Sequence, residues 1–446
     1  MLFAFLAPAP ICLMLVAMTA VSVQYAFWDV TLFGFELLAL QKLAMLAFLV
    51  PALLRFGVAW FRLLPMAALA AAFLMTWIWG SPVDALSPGD SLKALLGLSA
   101  PLLLMAVRWP AREAGWLLHL VLVLPIISIA AGFVLQAAGI QPVVTAEFTG
   151  AVRLQGANIP AHLAFLAFTA LMASILLWKK RPHGNGFLLG MTTVNFLILL
   201  LTGTRGPLIA SLPLLMLLLA DMARQFFKGR SGLVVPLAGI AAVLAASVLW
   251  QLDNLLKRSF TRSSSAGIDL SGREEAWRFF LDRAAESPWL GNGLGSVLLA
   301  NDGSLYTGFA VPHNEYIRFY HDCGIIGAVL LFASLLAVLG KAAGNMARGM
   351  KGYWHAMTVG FLLYSVSDNT LSTLQFMVPF CILVGAFGAW SGSTRATAER
   401  PAQVRPPSEP SPLSSLEPST AIRFPEVPGI NSPGLSGPGR SGAVHE

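Results

Sequence analysis

The chain is a succession of apolar runs divided by short polar gaps, and this alternation constrains the fold more than any other feature. The runs cover about 1–27, 33–54, 63–80, 94–107, 115–138, 159–178, 187–203, 206–221, 232–251, 324–340, 353–367 and 372–390. A straight helix needs roughly 20 apolar residues to cross a hydrocarbon core, and many of these runs approach that length. Only 11% of the residues are charged, where a soluble domain has about 25%. The mean hydropathy is +0.71. One water-soluble core cannot hide so much apolar surface. The predicted fold is all-α, a polytopic membrane protein with about twelve transmembrane helices. The second run contains Glu36, Gln41 and Lys42, so its start is the loosest.

The charges between the runs alternate. Every second gap is basic: Arg55 and Arg62; Arg108 and Arg112; Lys179, Lys180 and Arg181; Arg224, Lys228 and Arg230; Lys341, Arg348 and Lys351. The opposite short gaps hold only Lys93, Arg153 and Arg205. The positive-inside rule then puts both termini in the cytoplasm. It puts Arg153, Arg205 and the long segment 252–323 outside. The net charge of +7 is thereby a property of cytoplasmic loops, not a sign of nucleic acid. The opening "MLFAFLAPAPICLMLVAMTA" has no basic residue ahead of its apolar run and reads as an uncleaved first span. Cys12, Cys323 and Cys381 are far apart and odd in number, which points to neither a disulfide framework nor a zinc cluster.

Residues 1–390 therefore read as a transmembrane domain with a large outer loop at 252–323. In that loop "SGREEAWRFFLDRAAESPWLGNG" opens with Ser271 as N-cap and Glu274 three residues on, a capping-box spacing. Ala276, Trp277, Phe280, Leu281 and Ala284 recur at helical spacing, and Pro288 follows. Trp277, Phe279 and Phe280 suit a helix lying at the membrane interface. "GNGLG" makes a turn; without a preceding strand it does not read as a nucleotide loop. Residues 391–446 contain ten prolines from Pro401 to Pro438, with Ser and Gly between them, and are predicted to be a disordered cytoplasmic tail.

Three outer groups carry chemistry. Arg205 stands between two glycine-flanked apolar runs in "LTGTRGPLIA". Positive anchors belong inside, so an outer arginine at the edge of hydrocarbon reads as an anion-binding residue. Gly203 and Gly206 leave room for a ligand to approach the backbone. Arg153, in "AVRLQGANIPAHLA", is the second outer arginine, and two guanidiniums make a phosphate clamp through bidentate hydrogen bonds. His313, in "VPHNEYIRFYHDCGIIG", begins a short polar helix that runs into the span opened by Gly324. An imidazole at the outer face can exchange protons near neutral pH. His321 lies on much the same helix face, about 12 Å further along, too far for a metal pair. Glu315, Asp322 and Asp269 are reserve acid–base candidates.

In order along the chain, "RLQGANIPAHLA", "LTGTRGPLIA" and "SGREEAWRFFLDRAAESPWLGNGLGS" with "VPHNEYIRFYHDCGIIG" resemble the O-antigen ligase and Wzy-type polymerase superfamily of bacterial membrane glycosyltransferases. The resemblance covers roughly residues 150–330. It implies a GT-C-like fold and a metal-independent, cofactor-free, inverting transferase. It implies an undecaprenyl diphosphate-linked glycan as donor, used at the periplasmic face of the inner membrane. Carried over, Arg153 and Arg205 match the donor-diphosphate arginines, with Arg205 also catalytic, and His313 matches the catalytic histidine, a proposed base. Asn314, Glu315 and Arg273 are supporting residues.

The acceptor distinguishes the members. A ligase passes the glycan to a lipid A-core sugar, a polymerase to a second lipid-linked glycan, and a protein oligosaccharyltransferase to a protein. "TGTRG" sits nearer the ligase pattern, which makes ligase the first reading and polymerase the second. A reading from another class is a lipid or polysaccharide transporter or flippase. That class calls for mid-span charges and paired broken helices, whereas most charges here stand at span ends and in 252–323.

Overall fold

The computed structural model describes residues 20–23, 30–32, 35–147, 150–180, 186–229, 273–300 and 311–398, with single positions between 238 and 252. The elements begin with a short antiparallel pair, β1 (Thr31–Leu32) and β2 (Phe35–Glu36), and four helices, α1 (Leu37–Phe56), α2 (Leu64–Trp79), α3 (Pro88–Ala106) and α4 (Ala111–Ala137). An antiparallel hairpin follows, β3 (Val144–Ala146) and β4 (Val152–Leu154), with Thr145 opposite Arg153. Then come α5 (Pro160–Lys180), α6 (Gly186–Leu201), α7 (Arg205–Phe227), α8 (Arg273–Ala284), α9 (Glu315–Gly344), α10 (Arg348–Ser365) and α11 (Leu374–Ala398). The protein is mostly helical, as expected.

Among the described residues six helices are long and apolar enough to cross a membrane: Trp60–Trp79, Pro88–Ala106, Ala111–Ala137, Pro160–Lys180, Arg205–Phe227 and Glu315–Gly344. Gly186–Leu201 and Leu374–Phe387 are apolar but shorter. The first apolar run, most of 232–251 and the tail beyond 398 fall outside the described residues.

Helix α5 is the centre of the bundle. Every residue from Leu163 to Trp178 is buried, as expected of a helix that is apolar all round. It packs against α4, α6, α7, α10 and α11. Aromatic rings tie α10 and α11 to it: Phe165 to Tyr364 at 4.9 Å, Phe165 to Phe376 at 5.8 Å and Phe361 to Phe380 at 4.7 Å between centroids. Offset and tilted rings at such spacing add about 0.5–1.5 kcal/mol per pair beyond area burial. The outer helix faces expose Leu74, Ile78, Ile209, Ile325, Val329 and Val359, an ordinary surface for lipid and a liability in water.

The ends of the bundle differ. At one end Lys179 of α5 pairs with Asp221 of α7 and lies 5.0 Å from the Tyr353 ring of α10. The Tyr353 hydroxyl donates to the same carboxylate at 3.1 Å. Lys179, Lys180, Arg348 and Lys351 line a cavity of about 700 Å³ there. The opposite end gathers the starts of α5, α7 and α9 and the end of α10.

Residues 288–297 are latched onto α9. Asp322 accepts from the amides of Gly295 at 3.0 Å and Val297 at 2.8 Å and from the Ser296 hydroxyl at 3.1 Å. Gly324 interrupts α9 with φ 63°, and a Cβ there would stand 2.3 Å from the Trp289 backbone. Only glycine allows that approach. "GNGLG" is thus a structural latch, closed by Asp322. Helix α8 buries Ala276, Phe280 and Ala284, with Phe280 packed near Val297 and Ile317 and edge-on to His321 at 6.0 Å. Trp277 donates to the Pro312 carbonyl at 2.8 Å. Two of the three aromatics expected at the membrane interface, Trp277 and Phe280, fasten α8 to the start of α9.

Candidate functional site

The segment after β4 is held by its small and polar residues. Gly156, at φ 61°, lies against α4, where a Cβ on Gly132 would fall 2.4 Å from its carbonyl carbon. Ala157 donates to the Ser128 carbonyl at 2.9 Å, and Asn158 Nδ2 to the Ser128 hydroxyl at 2.9 Å. These contacts aim β4 so that Arg153 crosses to the turn between α6 and α7. Its Nε donates to the Thr202 carbonyl at 2.6 Å and its Nη2 to the Thr204 hydroxyl at 2.9 Å. Its Nη1 meets the Glu147 carboxylate. Gly203, at φ 61°, lies beneath the Arg153 side chain, with its Cβ position 3.6 Å from Arg153 Cγ. Arg153 is only 8% exposed and organises the turn that starts α7.

Arg205 is the first residue of α7 and is half-buried. Its N-cap, Thr204, makes no side-chain cap hydrogen bond. The helix dipole and first-turn amides favour an anion at this end. Arg153 and Arg205 therefore meet at one turn, although 52 positions separate them in sequence.

The start of α9 forms the other half. Asn314 is its N-cap, accepting from Tyr316 and Ile317 amides at 3.0 and 3.2 Å. His313 precedes the cap at φ 48°, a left-handed conformation uncommon for a side-chain-bearing residue and enriched at functional sites. Its Nδ1 stands 3.2 Å from Asp368 Oδ1. Glu315 is fully buried. Its Oε1 accepts from the Leu371 amide at 2.6 Å, the Ser372 amide at 3.0 Å and the Ser372 hydroxyl at 2.9 Å. Glu315 thereby clamps the 368–372 loop that carries Asp368. Asn314 and Glu315 support the histidine by fixing its helix start and its partner loop.

The two halves touch through α10. A Cβ on Gly206 would fall 2.3 Å from Ser367 Oγ and 3.5 Å from Tyr364 Cδ2. The charges of Asp368, Arg273 and Arg153 all reach Tyr364. Those of Asp368 and His313 reach His162 at the start of α5. Burial alone would raise the Asp368 carboxyl. The hydrogen bond and charge of His313, the charge of Arg273 and the Asn369 amide outweigh it and hold the carboxyl below its usual range. One end of the bundle thus joins Arg153, Arg205, Arg273, His313, Asp368, Tyr364 and His162.

Of the reserve candidates, Glu315 stands at this site, while Asp322, with His321, falls elsewhere. His321 and Asp322 are buried in the latch, with His321 Nδ1 at 3.2 Å from Ser296 Oγ and 3.3 Å from Asp322 Oδ1. Asp269 and the expected cap Ser271 lie outside the described residues. The residues not singled out from sequence are Glu147, His162, Tyr364 and Asp368. A signal existed for Asp368: "SDNT" is a polar break between two apolar runs, like the break that holds Arg205.

The fold and this site describe an integral membrane protein with a cationic, histidine-bearing site at one end of its bundle. A family model described as O-antigen ligase matches residues 187–332. The segment carrying Arg205, Arg273 and His313 is thus similar to O-antigen ligases. Arg153 and Asp368 lie on either side of the matched stretch. No curated protein matches the chain.

Proposed function

We propose that the protein is an O-antigen ligase of the bacterial inner membrane. It moves a glycan from undecaprenyl diphosphate to a hydroxyl of lipid A-core at the periplasmic face. The observation that carries this reading is the meeting of the Arg153–Arg205 turn with the His313–Asp368 pair at one end of the bundle. The opposite end collects Lys179, Lys180, Arg348 and Lys351, which the positive-inside rule assigns to the cytoplasm.

A glycosyl diphosphate is already activated, so the reaction outside the cell uses no nucleotide. Arg205 and the amides at the start of α7 grip the diphosphate, and Arg153 holds their turn and adds its charge. With the proton of the imidazole on Nδ1 toward Asp368, Nε2 is left to take the acceptor's proton. The acceptor oxygen bonds to the anomeric carbon while the bond from that carbon to the phosphate oxygen breaks. The electron pair leaves with the diphosphate, and the sugar inverts. Preplaced guanidiniums stabilise the developing charge and the base contributes about 10²–10⁴-fold. No metal ion enters this mechanism.

The test is the lipopolysaccharide of a strain lacking the gene. Loss of a ligase leaves bare core and accumulating lipid-linked glycan. A single repeat on the core, or lost exopolysaccharide, identifies a polymerase instead. Product formation by purified protein in detergent, without a sealed compartment, excludes a transporter.

A further inference from the structure

Tyr364 is fully buried, and its hydroxyl has no hydrogen-bond partner among the described residues. Its ring is caged by other aromatics: Phe165 at 4.9 Å, Phe168 at 5.2 Å edge-on, and Phe376 at 6.0 Å edge-on. A phenylalanine would fill the same cage. The hydroxyl therefore adds nothing to the packing, and an unmatched buried O–H is destabilising. Such a group in a native core calls for an explanation, and its surroundings supply one. Its ring edge faces the start of α7, 3.5 Å from the Cβ position of Gly206, the residue after Arg205. The charges of Asp368, Arg273 and Arg153 all reach it. The ring thus borders the anion-gripping turn, on the helix that leads into the loop carrying Asp368.

We propose that Tyr364 is a further catalytic residue, whose hydroxyl donates a hydrogen bond to a non-bridging oxygen of the leaving diphosphate. The inference rests on the glycosyl-diphosphate reading above and deepens it. The phenol stays neutral and acts only as a donor, so no bond is made or broken at it. The hydroxyl is sealed from water in this structure, and the contact forms when the diphosphate enters between Arg205 and the end of α10. The orphaned donor is then satisfied by substrate, which makes its burial useful only with substrate bound.

The experiment uses the purified full chain and farnesyl diphosphate as a probe of the diphosphate end. Tyr364→Phe should bind the probe about 10- to 100-fold more weakly, the range for a hydrogen bond to a charged group. Its Tm should equal or exceed that of the wild type, because the cage is kept and the unmatched group is gone. Substituting 3-fluorotyrosine at 364 keeps the ring and strengthens the donor, and should tighten binding. Equal binding by wild type and Tyr364→Phe overturns this inference while leaving the glycosyl-diphosphate reading standing. A lowered Tm in Tyr364→Phe, with no response to fluorotyrosine, overturns it in favour of a packing role. Failure of the wild type itself to bind the probe overturns both.

Discussion

Asp368→Asn separates the charge of this carboxylate from its shape. Asparagine can still accept the Asn369 amide, which lies 2.9 Å from Oδ1 in the native protein. It loses the negative charge 3.2 Å from His313 Nδ1. Opposite unit charges at that distance attract by about 5 kcal/mol at an effective dielectric constant of about 20. The histidine side chain is 30% exposed, so solvent screens part of this and about 3 kcal/mol remains. Proton transfer from the acceptor to the imidazole brings that attraction into play, so it acts on turnover. The expected result is a fall of about 10²-fold in kcat, with the donor KM within about threefold. The assay is initial-rate transfer from lipid-linked glycan by purified protein in detergent. A kcat within about threefold of the wild type refutes the role given to Asp368. The same variant has a pH signature. The native carboxyl is held below its ordinary value of 3.8, so it contributes stability above that pH and loses it as pH falls through the native value. The wild-type advantage in Tm over Asp368→Asn should therefore persist at neutral pH and close below about pH 3.8.

Arg205→Lys keeps the charge but not the planar fork, and should lower kcat/KM in the same assay by about 10-fold or more. Glu315→Gln keeps one acceptor oxygen for Leu371 and Ser372 but loses its charge. It should lower stability by about 1–3 kcal/mol, read as Tm, and reduce turnover by loosening the Asp368 loop. Gly324→Ala brings a Cβ within 2.3 Å of the Trp289 backbone and a strained φ of 63°. A cost of about 3 kcal/mol or more is expected, visible as lost folded protein by fluorescence-detected size exclusion.

Hydropathy located the helices because the bilayer demands long apolar segments, but it placed their ends poorly. Helix α3 starts at Pro88, six residues before the apolar run, because Ser87 caps it, accepting from the Asp90 amide at 3.1 Å. Helix α9 starts at Glu315 under the Asn314 cap, nine residues before the apolar run opens and close to the polar helix start read at His313. A hydropathy pattern does not register caps. Arg205 and His313 were legible because a polar group at the edge of an apolar run stands out. Tyr364 was not, since a tyrosine inside an apolar run reads as core and only its empty hydroxyl sets it apart. Asp368 gains its meaning from His313, 55 positions away, and such a pairing exists only in three dimensions. The outer helix illustrates the converse. The spacing of Ala276, Trp277, Phe280, Leu281 and Ala284 marked the helix; Ala276, Phe280 and Ala284 form its buried face, whereas Leu281 is exposed.

The central claim is that the guanidinium at the start of α7 holds a polyprenyl diphosphate while the sugar leaves it. Its most direct test is glycan transfer from an undecaprenyl diphosphate donor by purified wild type and Arg205→Ala, matched for folded protein. Product from the wild type, with at least about a hundredfold less from Arg205→Ala, is the expected result. Undiminished transfer by Arg205→Ala contradicts it.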